Sequence, residues 1–495
     1  MSPQLLMVLA MALPFAATFG VLASGRNPNL REGISLTAGA LLFLVVLALY
    51  QILQSGAAIE FTVYEWLPGI TLAFSLEASG VLFALIASFL WIVTTVYAIG
   101  YMRGHGEQNQ TRFFACFAIA ISAVMGIAFA ENLFTLFIFY EVLTLSTYPL
   151  VTHAGTEKAR RGGRTYLTIL LSTSIVFFLP AIIITQFTAG TLSFRLGGVF
   201  EPGTSLALLS VLLVLFIFGI GKAAMMPFHR WLPAAMVAPT PVSALLHAVA
   251  VVKAGVFTVF KVGVFIFGLE TLAAVPATEW LLYLAGAAIL LSSIVAMRQD
   301  NLKARLAYST VSQLGYITLG VLLATQTAAM GSAMHIATHA FGKITLFFCA
   351  GAIMVAAHKS EISQMRGLGR QMPITMIAFF IGSLSIIGLP PTGGTWSKWY
   401  LLVGTLEAGQ LLLMAVLMVS SLLNIAYLLP IPVRAFLPPA PSATHGHDDH
   451  HDHDGMHEAP LPSLLAIVVT ALACFVLFFY PQPLFALVSA IFNGV

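Results

Sequence analysis

Runs of about twenty apolar residues recur along this chain with few charges inside them, which leaves very few folds open. In hydrocarbon every backbone N–H and C=O must be satisfied within the protein, so such runs become helices. Candidate spans lie near 3–24, 34–54, 76–100, 113–130, 132–152, 166–189, 204–225, 241–267, 279–297, 305–325, 328–356, 372–402, 411–433 and 462–481. The fold class expected is therefore an all-α polytopic membrane protein with about 14 transmembrane helices. Composition agrees, because only 8% of the 495 residues are charged and 59% are hydrophobic, against roughly 25% charged in soluble domains. The first run, PQLLMVLAMALPFAATFGVLAS, has no basic leader and is followed by further spans, so it is expected to be a helix rather than a signal peptide. Cys116, Cys349 and Cys474 lie in separate apolar segments without CxxC spacing, which points away from iron–sulfur, zinc and disulfide frameworks.

Position of charge sets orientation. Arg26, Arg31, Arg103, Arg112, Lys158, Arg160, Arg161, Arg164, Arg230, Arg298, Lys303, Arg305, Lys359, Arg366, Arg370 and Arg434 all fall in loops of one side, and only Arg195 falls in loops of the other. The basic side is expected to be cytoplasmic, with both termini outside a cell's inner (plasma) membrane. The seventh and twelfth spans are each interrupted, by GIGKAAMMPFHRWLP and by GLPPTGGTWSK, with a lysine beside each break. Matching breaks suggest two inverted five-helix repeats, with ion sites at the discontinuities. The expected division is spans one to three (1–112), a first repeat (113–267), a second repeat (279–433), a His/Asp-rich cytoplasmic loop (437–460) and a C-terminal helix (461–495). That loop, PPAPSATHGHDDHHDHDGMHEAP, is polar enough to be solvated, and no spacing in it defines a closed metal site.

Several titratable residues stand at depths where each costs several kcal/mol, about 2.5–3.5 on insertion scales. Glu141 lies mid-span in NLFTLFIFYEVLTLSTYPLV, and Lys222 in the broken seventh span is its expected partner. Burial disfavours a charged ammonium, so if the pair opens the lysine can release its proton onward. The eighth span strings His247, Lys253 and Lys261 along roughly 20 Å of helix at about 1.5 Å per residue. Lys253 is too central to snorkel, whereas Lys261 stands nearer the outer end and could. In the eleventh span His335, His339 and Lys343 recur at i, i+4 and i+8, which puts three proton carriers on one face. Lys398 follows the LPPTGG break, where prolines free carbonyls that water or protein must satisfy. Lys303, in the charged loop MRQDNLKARLAY, is a candidate for a cytoplasmic mouth.

With these residues in view, the chain resembles the antiporter-like membrane subunits shared by respiratory complex I, membrane-bound hydrogenases and Mrp-type multisubunit cation/proton antiporters. The likeness covers roughly residues 70–430 and rests on FIFYEVLTLSTYPL, GKAAMMPFHRWLPAAMVAPTPVSALLHAVAVVKAGVF, LKARLAYSTVSQLGY, HIATHAFGKITLFFCAG and GLPPTGGTWSKW in family order. It implies that Glu141 pairs with Lys222, that Lys253 is the central lysine and that Lys398 is the terminal residue of the broken twelfth span. It is most similar to the D subunit of Mrp antiporters, because the complex I chain closest in layout usually carries glutamate where Lys398 stands. The largest complex I homologue adds spans and a lateral helix beyond the length of this chain. The implied activity is proton translocation through Glu141, Lys222, Lys253 and Lys398, with His247, His335, His339, Lys343 and Lys303 as relays.

The implied partners are other membrane subunits, protons and Na+ as transported ions and the lipid bilayer, with no nucleic acid. No cofactor and no metal are expected, since no GxGxxG follows a strand and no haem-ligand pair stands out beyond the eleventh-span histidines. Two alternatives are a proton-pumping subunit of a complex I-like or hydrogenase complex, and a coupling scaffold in an inorganic-carbon uptake complex.

Overall fold

The computed structural model describes residues 2–57, 59–438 and 456–493. Helices run from α1 (Pro3–Ala23), α2 (Pro28–Gln54), α3 (Ala78–Gly104), α4 (Gln110–Ala128), α5 (Leu133–Val151) and α6 (Glu157–Ala189) to α7 (Leu206–Gly219) and α8 (Thr240–Phe267). They continue with α9 (Pro276–Arg298), α10 (Leu302–Leu322), α11 (Gln326–Ala357), α12 (Pro373–Ile387), α13 (Gly394–Glu407), α14 (Leu411–Ala435), α15 (Leu461–Phe479) and α16 (Gln482–Asn493). Among the described residues, 11 helices are long and apolar enough to cross a bilayer. Of the other expected spans, two are the interrupted ones, whose halves are short, and the third is the more polar α10. The segment expected as one C-terminal helix is two, α15 and α16.

One element lies outside the all-helical expectation. Strands β1 (Glu60–Leu67) and β2 (Ile70–Ser75) form an antiparallel hairpin closed by Pro68 and Gly69. EFTVYEWL and ITLAFS are rich in β-branched and aromatic residues, and Gly69 supplies the positive φ (+79°) that the tight turn requires. Asn132 and Thr135 at the start of α5 fasten the hairpin through Thr71 and Ala73. The hairpin marks one face, and the arginine-rich loops mark the opposite, basic face. There Glu32 of α2 accepts from Arg103 of α3 at 2.5 Å, and Arg31 reaches Gln110 of α4 at 2.8 Å, so three helix ends are tied together.

Both interruptions form as expected. Helix α7 stops at Gly219, a single 3-10 turn covers Gly221–Ala223, and Ala224 takes a left-handed φ of +54°. The Gly221 carbonyl accepts from the Ala224 N–H at 3.0 Å and also from the indole of Trp231 at 2.9 Å. Helix α12 ends before Gly388, and the backbone of Gly393 in the gap donates to Cys474 of α15 at 2.8 Å. The stretch 439–455, which contains most of the His/Asp-rich loop, lies outside the described residues. Its C-terminal flank docks, with Glu458 accepting from Ile374 and Thr375 at the N-terminus of α12, a favourable place for a carboxylate.

Helix α8 occupies the centre, its apolar window 100% buried, so its ionisable residues face protein rather than lipid. It contains two π-helical stretches, Leu245–Val249 and Val262–Phe267, a local geometry that recurs at functional sites. It lies against the first break through Gly255, where a Cβ would stand 2.3 Å from the backbone of Lys222 and Ala223. No side chain fits that approach, so the depth and orientation of Lys222 depend on this glycine. Gly255→Val should lower stability by about 1–3 kcal/mol through overpacking. Thermal unfolding in detergent checks this, with a clear fall in Tm expected and an unchanged Tm contradicting the close approach.

Candidate functional site

Lys222 is fully buried in the first break. Its Nζ donates to the Tyr140 carbonyl at 2.8 Å and to Thr144 Oγ1 at 2.6 Å, and sits 3.1 Å from the centre of the Tyr140 ring. Tyr140 and Thr144 are one turn apart on α5, so one helix face supplies carbonyl, hydroxyl and ring to the ammonium. Glu141, the expected partner, is one residue and about 100° further round the helix. Among the described residues no ion pair within 4.0 Å joins it to Lys222, and both its carboxylate oxygens are buried without a hydrogen-bond partner. The two charges remain within electrostatic range, but the direct pair is replaced by dipoles of the neighbouring residues.

A second cluster joins α8 to α11. Lys253 Nζ lies 2.6 Å from His339 Nδ1, both side chains buried to within 1%. His339 Nε2 has no partner. One turn away, the His335 ring lies 5.8 Å from the His339 ring, with its Nδ1 2.9 Å from Ser397 Oγ and its Nε2 3.2 Å from Gln313 Oε1. Ser397 precedes Lys398, whose Nζ donates to the Ile387 carbonyl and to Ser421 Oγ at 3.1 Å each, 4.5 Å from the centre of the Tyr316 ring. Ile387 is the last residue of α12, so the carbonyl released by the break receives the lysine.

The three α11 residues share the helix but address different neighbours. His335 meets α10 and α13, His339 meets α8, and Lys343 donates to Ser309 Oγ of α10 at 2.6 Å. Ser309 also accepts from Tyr427 at 2.9 Å, which extends that contact to α14. His247 lies on the first π-helical stretch of α8, fully buried, with neither ring nitrogen bonded and its ring 4.7 Å from Phe347. Lys303 is half-buried at the basic face, and its Nζ donates to the Ala238 carbonyl at 2.5 Å.

Lys261 does not snorkel. It is 1% exposed, ion-paired with Glu77 at the start of α3 and flanked by the rings of Phe194 and Phe265 at 4.0 and 4.5 Å. Sequence reasoning missed Glu77 because it stands 184 residues away. Tyr140, Thr144, Ser309, Gln313, Ser397, Ser421 and Tyr427 were also missed, since hydroxyls and amides in apolar helices are common and only an adjacent lysine or histidine marks them. Among the described residues no group of three or more His, Cys, Asp or Glu is placed to hold a metal.

Comparison with known proteins gives concordant results. The family model described as NADH:quinone oxidoreductase/Mrp antiporter, TM matches residues 130–424. NADH-quinone oxidoreductase subunit N of Desulforudis audaxviator is 33% identical over 440 residues, covering 88% of this chain and 86% of that protein. A probable K(+)/H(+) antiporter subunit from Rhizobium meliloti is 34% identical over 397 residues, 78% of this chain but 38% of the longer relative. Among solved structures, the Mrp complex from Dietzia sp. DQ12-45-1b contains a chain with a TM-score of 0.85 at 23% identity, covering 99% of this chain and 97% of that one. The membrane-bound sulfane sulfur reductase, an archaeal respiratory membrane complex, gives 0.84 at 23% identity over 99% of this chain and 98% of that chain. At that identity the structural likeness shows the fold alone.

The Lys253–His339 contact is direct enough to be tested by a double-mutant cycle. Lys253→Met and His339→Leu should each reduce transport by roughly 10²-fold or more, as expected when a positioned proton donor or acceptor is removed. The double variant should be little worse than either single one, and additive losses would show that the two act separately.

Proposed function

Because the chain belongs to the NADH:quinone oxidoreductase/Mrp antiporter membrane family, we propose that it is the proton-translocating subunit of a multisubunit membrane complex, of the kind of the Mrp antiporter D subunit. The observation that carries this reading is the buried Lys253–His339 contact, followed by His335 and Ser397 toward Lys398, with buried Lys222 at the first break packed against the same central helix α8 through Gly255. Ionisable side chains in a membrane interior are costly, and a packing role would be served better by apolar residues. Here each is held by a neutral acceptor or by another proton carrier.

The chemistry follows from the contacts. Lys253 and His339 Nδ1 share one proton across 2.6 Å, and either can hold it. From His339 the proton crosses to His335 by rotation of a ring or through a water, since the ring centres are 5.8 Å apart. His335 is bonded to Ser397, the neighbour of Lys398, which ends the series at the second break. Glu141, with an unsatisfied carboxylate in electrostatic range of Lys222, is assigned the first station. A proton arriving there neutralises the carboxylate that favours the Lys222 ammonium, so the lysine releases its proton onward, and repulsion between successive protonated stations drives each handover. Within this proposal residues 113–267 and 279–433 are the two inverted repeats, each contributing one broken helix. The basic face is assigned to the cytoplasm of a cell whose inner (plasma) membrane holds the complex, by the distribution of arginine and lysine.

A second reading keeps the same path but couples it to redox chemistry in partner subunits, as in a complex I-like NADH-quinone oxidoreductase. The near full-length match to a relative named as its subunit N favours it. The subunits that co-purify with the tagged chain separate the two readings, since antiporter partners bring no flavin or iron–sulfur protein.

Lys222→Ala should abolish proton movement by the reconstituted complex, at least about a hundredfold, while the complex assembles normally. Wild-type flux in an assembled Lys222→Ala complex would overturn the translocation reading.

A further inference from the structure

The basic face carries a titratable cluster separate from the series above. His153, two residues beyond the end of α5, is 4% exposed, and neither of its ring nitrogens makes a hydrogen bond. Its Nε2 lies 3.8 Å from the Glu107 carboxylate, whose side chain is 20% exposed in the loop between α3 and α4. From α4, Arg112 donates to the His153 carbonyl at 2.9 Å and Phe113 presents its ring 6.3 Å away. The Gln108 backbone approaches the imidazole without meeting hydrogen-bond geometry. Glu107 is also within electrostatic range of Lys303, and Lys303 within that of His247. A buried imidazole with free nitrogens thus lies beside a partly wet carboxylate at the basic face, and that carboxylate is within electrostatic range of Lys303.

We propose that Glu107 and His153 are the proton-loading site of the basic face, taking protons from water and passing them by way of Lys303 to His247. This rests on the proton-translocating reading. A hydronium gives its proton to the Glu107 carboxylate, which passes it to the imidazole. There an N–H bond forms at Nε2 as the carboxyl O–H breaks, and the imidazole holds the proton as a cation. The return transfer restores the carboxylic acid, which protonates a neutral Lys303 amine and regenerates the carboxylate. No electrons move and no other reactant is consumed. The 3.8 Å gap between Glu107 and His153 is closed by a small ring rotation or one bridging water. The steps through Lys303 to His247 require bridging waters, since among the described residues no ion pair within 4.0 Å joins Glu107 to Lys303.

The electrostatics suit a reservoir. Burial pulls the His153 imidazole below its ordinary value, Glu107 opposes that by raising it, and Arg112 adds a smaller downward push. Removing the carboxylate takes away the larger upward effect and leaves only that of the Gln108 backbone, so loading then requires a more acidic medium. A purely structural pair would not impose that shift.

The test uses vesicles holding the intact complex with the basic face outward and the proton itself as probe. Initial proton uptake under an imposed membrane potential is followed with a pH-sensitive dye across the range around the histidine value, about pH 6.5. His153→Gln should reduce uptake about tenfold above roughly pH 7 and leave it near wild type at the acid end, where bulk protons are abundant. Glu107→Gln removes the carrier to Lys303, so it should cut uptake at least about tenfold and move the midpoint of what remains to lower pH, and Glu107→Asp should restore both. Should His153→Gln fail to assemble, the Glu107→Gln midpoint decides alone. Wild-type profiles in the assembled variants, while uptake still requires Lys222, would overturn the loading site and leave translocation intact. Uptake indifferent to Lys222 as well would overturn the translocation reading itself.

Discussion

An ammonium group in a membrane interior must find acceptors inside the protein, and in this chain the acceptors come from a neighbouring helix or from a broken helix end. Lys222 takes the Tyr140 carbonyl and the Thr144 hydroxyl, Lys398 takes the Ile387 carbonyl and the Ser421 hydroxyl, and Lys343 takes Ser309. An unmet donor at this depth costs the full desolvation of the group, about 1–3 kcal/mol or more when charged. The second break has a direct physical use, since it leaves the Ile387 carbonyl at a helix end for Lys398, whereas Lys222 takes a carbonyl from within α5. Gly255 and the left-handed turn at Ala224 allow the first break to lie against α8, which brings Lys222 beside the central helix.

In the proposed mechanism the same requirement lets the site switch. Neutral acceptors hold a charged lysine without neutralising it, so a nearby carboxylate or second cation can change which side of an equilibrium is favoured. Glu141 is near enough to act on Lys222 but not close enough to lock it. By contrast Lys261 is closed into an ion pair with Glu77 between aromatic rings, an arrangement suited to holding α8 in place at the hairpin face. An ion-paired lysine and a lysine held only by a histidine thus lie on one helix, eight residues apart at Lys261 and Lys253.

Much of this was legible in the sequence because hydrocarbon allows few backbone solutions. Span positions follow from apolar runs, both breaks from Gly and Pro beside a lone lysine, and the presence of three buried polar side chains on α11 from the spacing of His335, His339 and Lys343. The hairpin was not seen, since its strands are short and adjoin longer apolar runs. The direct Glu141–Lys222 pair was expected because sequence gives identity and depth but not rotation about the helix axis, and Tyr140 and Thr144 turned out to face the lysine. Partners distant in sequence, such as Glu77 for Lys261 and Glu107 for His153, carry no local signal at all. The π-helical stretch that holds His247 likewise follows from packing around α8 rather than from LLHAV itself.

The central claim is that protons travel laterally through one buried series, in which His335 is the link between the Lys253–His339 pair and the Lys398 end. Proton flux through the intact complex reconstituted with His335→Phe tests it most directly, because an aromatic ring is retained while the nitrogens that carry protons and bond Ser397 and Gln313 are lost. Flux should fall at least about a hundredfold with assembly unchanged. Wild-type flux in that variant would contradict the account.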